Sequence, residues 1–254
     1  MMKSNFLNAG KGSGFTLIEM AVVLLIVGLM LSGLFASLGS STENKRRTDA
    51  TAQLNRIEEA LYGFAQTNGR LPCPAVPGVP TGQEDPLAGG VCTNSRGFVP
   101  AVTLGIQGAI NTDGLLLDPW GNPYRYVVSE RVQVLDRAFT TSNGLRALFA
   151  NGSLTIDPAT RLCVSSAVNC TGTTFTNSAP ALVFSMGSDW QTFSSAIQVE
   201  NASAPPHASY PNIINNDFVN APYAEDGTQA FDDILVWLSP QILFSRLISA
   251  GRLP

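Results

Sequence analysis

Histidine is nearly missing from this 254-residue chain. The single one, His207, sits in a Pro-Pro-His stretch that reads as an exposed loop. One imidazole leaves little for a nucleophilic triad or a histidine-based metal hydrolase. Lysine is scarce as well: Lys3, Lys11 and Lys45 are all there are. Charged residues make up 13% of the chain, about half the usual share. No GxSxG elbow, phosphate-binding loop or dinucleotide fingerprint occurs. The net charge of −4 gives no basic excess for binding nucleic acid, so none is expected as a partner. These absences argue against an enzyme. The chain is not a disordered polyelectrolyte either, because 44% of it is hydrophobic.

What is abundant is concentrated near the start. Phe15 to Leu38 is an apolar run of 24 residues with one charge. As a helix it would be about 36 Å long, enough for a hydrocarbon core of about 30 Å. Basic residues flank both ends (Lys3 and Lys11 before, Lys45-Arg46-Arg47 after), so charge alone does not set its orientation. The run is too long for an ordinary secretory signal. A lipoprotein signal would need a cysteine directly after it, and the first is Cys73. The single charge is Glu19. A carboxylate in such surroundings costs about 2.5–3.5 kcal/mol on insertion scales. No Lys, Arg or His lies within the following twenty residues. A cut after Gly14 would create an α-amino group on Phe15, and that cation could pair with Glu19 of a neighbouring subunit. Burial of Glu19 would then be offset only on assembly.

Gly14-Phe15-Thr16-Leu17-Ile18-Glu19, behind a short cationic leader, resembles the class III signal of type IV pilins and type II secretion pseudopilins. The resemblance implies a leader at 1–14, cleavage between Gly14 and Phe15 by a prepilin peptidase, N-methylation of Phe15, and Glu19 as the assembly residue. It further implies other pilin or pseudopilin subunits, an inner-membrane assembly platform and the lipid bilayer as partners. The chain would be a single-pass bacterial inner-membrane protein with its C-terminal domain in the periplasm, filament-associated after assembly. Many family members kink this helix with a proline; here Gly28, Gly33 and Gly39 are the available weak points. The rival is a membrane-tethered periplasmic binding or sensor domain on an uncleaved anchor.

Beyond the apolar run, Leu54, Ile57, Leu61 and Phe64 fall at helical spacing, with Thr67-Asn68-Gly69 as a C-cap. One helix is therefore expected over 15–67: a transmembrane and assembly part at 15–38 and an amphipathic part at 39–67. Residues 68–254 form an α+β body. Eight prolines between Pro72 and Pro123 exclude a long helix there. Asp118-Pro119-Trp120-Gly121-Asn122-Pro123-Tyr124 reads as a tight turn before a strand at 124–129, with Trp120 as a core plug. It resembles a turn of the major pseudopilin. Further strands are expected at 161–164, 181–186, 196–199 and 234–238, with a short helix over 143–150. A polar stretch at 200–230 separates the last two strands. Ser239-Pro240 starts a final helix that Gly251 stops. The expected fold is α+β and pilin-like: a long N-terminal helix packed on a small antiparallel sheet, with a C-terminal helix. The larger domain and extra helix suggest a minor subunit.

Cys73, Cys92, Cys163 and Cys170 allow three disulfide connectivities, of which local pairing is the simplest. A zinc site is disfavoured by the lack of any CxxC. Ser185-Met186-Gly187-Ser188-Asp189 and Phe231-Asp232-Asp233-Ile234 resemble two pieces of the calcium loop of major pseudopilins. That likeness implies Asp189, Asp232 and Asp233 as Ca2+ ligands. The alternative is that these aspartates cap turns. The intervening stretch, about forty residues, is far longer than the family's loop.

Overall fold

The computed structural model describes residues 15–78, 82–87, 90–129, 139–146, 162–190, 192, 195–202, 216–225 and 227–253, with the backbone but not the side chains of 31–40. Gly14 and His207 lie outside this set, as does the end of the helix expected over 143–150; residues 144–146 are helical. The chain divides into two units, Met1–Lys45 and Arg46–Pro254.

Helix α1 is Leu17–Asn68. Its start is a capping box: Thr16 Oγ1 accepts from the Glu19 N–H at 3.3 Å, and the Glu19 carboxylate reaches back to the Thr16 N–H at 3.5 Å. Its end is a left-handed glycine, Gly69 at φ 68°, whose N–H bonds the Ala65 carbonyl at 2.7 Å. In the second unit Leu54, Ile57, Leu61 and Ala65 are fully buried. Phe64, expected on that stripe, is only half-buried and lies under the Arg70 guanidinium, 5.1 Å from its ring centre. Among the described residues no helix is long and apolar enough to cross a membrane. The described side chains of the apolar run stop at Met30.

A four-stranded antiparallel sheet organises the second unit. Its order is β1 (Arg96–Phe98), β2 (Arg125–Val128), β5 (Ala181–Ser185) and β7 (Ile234–Trp237). β2 and β5 are buried along their whole length, because both faces of this sheet are covered. Side chains alternate between two cores. Tyr126, Val128, Ala181 and Val183 join Leu54, Ile57 and Leu61 of α1, while Val127, Leu182 and Phe184 join a second cluster with Val164, Phe218 and Phe231.

That second cluster lies against a three-stranded sheet ordered β4 (Thr171–Ala179), β3 (Leu162–Ala167), β6 (Asp217–Val219). β3 pairs antiparallel with β4 but parallel with β6. The expectation of one small antiparallel sheet is therefore corrected to two sheets, the second of them mixed. β6 also falls inside the stretch read as a polar separator. The strand expected at 196–199 is a helix, α3 (Ala196–Ala202); Ser195 Oγ accepts from the Gln198 N–H at 3.3 Å and starts it. Short α2 (Ala101–Leu104) follows β1. Last comes α4 (Pro240–Ser249), with Ser239 as N-cap and Leu243 and Leu247 buried in the α1 core.

Two disulfides pair locally, Cys73–Cys92 and Cys163–Cys170, with Cα separations of 5.4 and 6.0 Å. The proline-rich segment is fixed further by a buried ion pair. Arg70 meets Glu84 at 2.7 and 2.8 Å, and Glu84 also accepts from the Cys73 N–H at 3.0 Å. Arg246 of α4 grips Glu59 of α1 at 2.8 and 2.9 Å, on the surface.

Candidate assembly surface and acidic site

The first candidate surface is the start of the chain's described part. Phe15 is 78% exposed and Leu17 90%, and large apolar side chains stay exposed through Met30. Monomeric proteins in water rarely show so long a bare apolar surface, so it calls for lipid or other subunits. Glu19 is the carboxylate on this segment. In the isolated chain it caps the helix by accepting from the N–H of Thr16, the residue after Phe15.

The second candidate is the acidic site, and its foundation is the 118–124 turn. Asp118 Oδ1 accepts from the N–H groups of Trp120 and Asn122 at 3.0 and 2.8 Å, while Oδ2 accepts from the Ser185 hydroxyl at 2.5 Å. Asn122 donates its amide to the Gly187 carbonyl at 2.7 Å. The turn thus holds the loop after β5 in place. Trp120, expected to plug the core, is only half-buried, and Tyr124 is the fully buried aromatic of the turn.

The held loop presents its polar groups to Asp232. Ser188 donates its N–H and its hydroxyl to Asp232 Oδ2, at 2.5 and 2.9 Å. Gly187 stands at φ 66°, and a β-carbon there would overlap the Asp232 carboxyl group. Gln198 of α3 bridges the two acids: its Nε2 donates to both Asp189 oxygens and to Asp232 Oδ1, each at 3.0 Å. Burial first, and then the adjoining Asp232, push the Asp189 carboxyl up to about 6.

Asp233 belongs elsewhere. Its Oδ2 accepts from Asn201 at 2.7 Å, and Asn201 also exchanges bonds with the Val219 backbone at 2.8 and 2.9 Å. Burial raises Asp233 well above the usual carboxylate range; the Asn201 bond is the largest opposing influence, and the charge of Arg125 also opposes the shift. Burial likewise lowers Arg125 to about 10, against the pull of Asp233. The three expected ligands are therefore not one cluster. Among the described residues, the three groups whose ligating atoms lie within 4.8 Å of one another are Cys163, Cys170 and Asp217, and those two sulfurs are already joined. Asp189 and Asp232 face each other across the Gln198 amide, and donors of Gln198 and Ser188 occupy all four of their carboxylate oxygens. Asp233 is held by Asn201 through Oδ2, and among the described residues its other oxygen is buried without a partner.

Sequence reasoning missed Gln198 and Ser195. The Ser-x-x-Gln spacing of a capping box was the available signal. It also missed Arg47, which donates to the Asp232 carbonyl at 3.0 Å; no local pattern announces such a contact.

The sequence matches the family described as prokaryotic N-terminal methylation motif over residues 11–35. It is 28% identical over 118 residues to the type II secretion system core protein G of Aeromonas hydrophila, covering 44% of this chain and 71% of that protein. It is 29% identical over 120 residues to the protein of the same name from Pseudomonas aeruginosa, covering 45% and 72%. No solved structure matches. The resemblance to pilins and pseudopilins drawn from residues 14–19 therefore holds, and proteins of that family are structural subunits rather than enzymes.

Proposed function

We propose that this chain is a structural subunit, and a minor one, of a type II secretion pseudopilus, working through assembly and not through chemistry. One observation carries the reading: a prepilin-type motif heads an exposed apolar helical surface bearing the single acid Glu19. The leader at 1–14 is removed between Gly14 and Phe15 by a prepilin peptidase, and the new Phe15 terminus is methylated. Residues 15–38 then anchor the subunit in the inner membrane. The amphipathic part at 39–67 carries the periplasmic body at 68–254. On extraction by the assembly platform, apolar helices pack together, and Glu19 pairs with the Phe15 terminus of an adjacent subunit. The two type II secretion relatives favour a pseudopilus over a type IV pilus. In the body, a divalent cation such as Ca2+ held by Asp189 and Asp232 would have to displace the Gln198 amide that bridges them.

Glu19→Ala tests the assembly role. The variant should still fractionate with membranes yet be lost from sheared filaments and from subunit cross-links. Normal incorporation would contradict the role given to Glu19. Retention of an unassembled protein on an intact leader would favour the tethered-domain alternative.

A further inference from the structure

Three cations, Lys45, Arg46 and Arg47, follow the apolar run in succession. Membrane topology does not account for them. Basic residues orient a span by staying on its cytoplasmic side, and in the arrangement proposed above these three stand on the far side. The structure divides the cluster. Arg47 is half-buried and turned to the body. Its guanidinium lies over the Tyr223 ring, 4.1 Å from the centre, and its Nη1 donates to the Asp232 carbonyl at 3.0 Å. Lys45 and Arg46 are exposed, and among the described residues neither enters a salt bridge. Glu43, the acid before them, is half-buried and already engaged. Asp49, the acid after them, is exposed about one turn further from the run.

We propose that Lys45 and Arg46 bind phospholipid headgroups of the periplasmic leaflet, holding the subunit at a set depth until it is extracted, and that Arg47 takes no part. The inference rests on the membrane reading of residues 15–38 given above and adds the lipid chemistry that the next stretch of α1 meets. Distance along the helix supports it. Lys45 comes seven residues after Leu38, about 10 Å further on. Headgroups fill about 5–8 Å beyond the hydrocarbon. The Lys45 backbone thus stands just above them. Side chains of a helix lean toward its N-terminus, which here is toward the bilayer. Long cationic side chains lay their stems along apolar surface and leave the charge at the polar layer. Arg47 cannot do the same while it stacks on Tyr223.

The test uses the full mature chain in detergent micelles that hold equal amounts of phosphatidylglycerol and phosphatidylcholine. Native mass spectrometry reads the lipid retained. The unsubstituted protein should keep phosphatidylglycerol over phosphatidylcholine. The double variant Lys45→Gln, Arg46→Gln should lower that preference at least about fivefold, the effect of one cation near an anionic surface. Arg47→Gln should leave it unchanged. If Arg47→Gln does not fold by circular dichroism, the double variant still carries the test, because both of its side chains are exposed. No preference in the unsubstituted protein, or the same preference in the double variant, overturns the proposal and leaves the membrane reading standing. An equal loss in a folded Arg47→Gln protein overturns the division of the three cations. Failure of the unsubstituted protein to float with vesicles of the two lipids overturns the membrane reading and the proposal together. Loss of the double variant from filament cross-links, with its lipid preference intact, would assign the two cations to a neighbouring subunit instead.

Discussion

The Asp232 carboxyl group occupies the space that a side chain on Gly187 would need. Gly187 also stands at φ 66°, a conformation that costs other residues about 1–3 kcal/mol. Both reasons point the same way, so Gly187→Ala should lower stability by at least about 1–3 kcal/mol. Urea denaturation reads this directly. A loss under about 0.5 kcal/mol, the level of an ordinary surface change, would contradict the close approach.

Arg70 and Glu84 form a buried, two-pronged pair, whereas Arg246 and Glu59 form a similar pair at the surface. Removing one partner of a buried pair strands the other without water and costs about 3–5 kcal/mol. An exposed pair is worth about 0–1 kcal/mol. Glu84→Ala should therefore destabilise the protein far more than Glu59→Ala, measured side by side in denaturant. Equal losses would mean that burial does not set the difference.

The two disulfides close loops of unequal length, with sequence separations of 19 and 7. Chain entropy assigns about 3 kcal/mol to the first and about 2 kcal/mol to the second. Replacing both Cys73 and Cys92 by serine should lower the thermal midpoint more than the same change at Cys163 and Cys170. The opposite ranking would show that the second bridge acts on the native state beyond loop closure.

Asp118 supplies a pH dependence with a definite sign. Burial raises its carboxyl above the ordinary 3.8, while the bonds from Ser185, Asn122 and Trp120 pull it partly back. The folded state thus holds this proton more tightly than the unfolded chain does. Its contribution is most favourable at low pH, declines as pH rises from the ordinary value through the folded pKa, and is level above that. Asp118→Asn cannot titrate. The stability of the native protein relative to that variant should fall as pH rises above about 4 and then become constant. Parallel profiles across that range would contradict the shift.

Elements built from short apolar runs were legible. β2, β5 and β7 lie where Tyr-Val-Val, Ala-Leu-Val-Phe and Ile-Leu-Val-Trp place them, because burial on a sheet selects such runs. α3 was misread because Ala-Ile-Gln-Val-Glu alternates as a strand would, and the cap at Ser195 decides the matter. β4 escaped because its exposed, threonine-rich residues carry no hydrophobic period. β6 exists through parallel pairing with β3, some fifty residues away, and nothing local marks it. At the acidic site the residue types were readable but their grouping was not. Neighbours entering a strand point to opposite sides, so Asp232 turns to Asp189 and Gln198 while Asp233 turns to Asn201.

The proposed role requires Phe15 to be the first residue of the assembled subunit, and the mass of the mature protein's N-terminal peptide reads this. Purified from cells that contain a prepilin peptidase, the protein should begin at Phe15 with one added methyl group. A peptide that still begins at Met1 and runs unbroken through Gly14 would contradict the account.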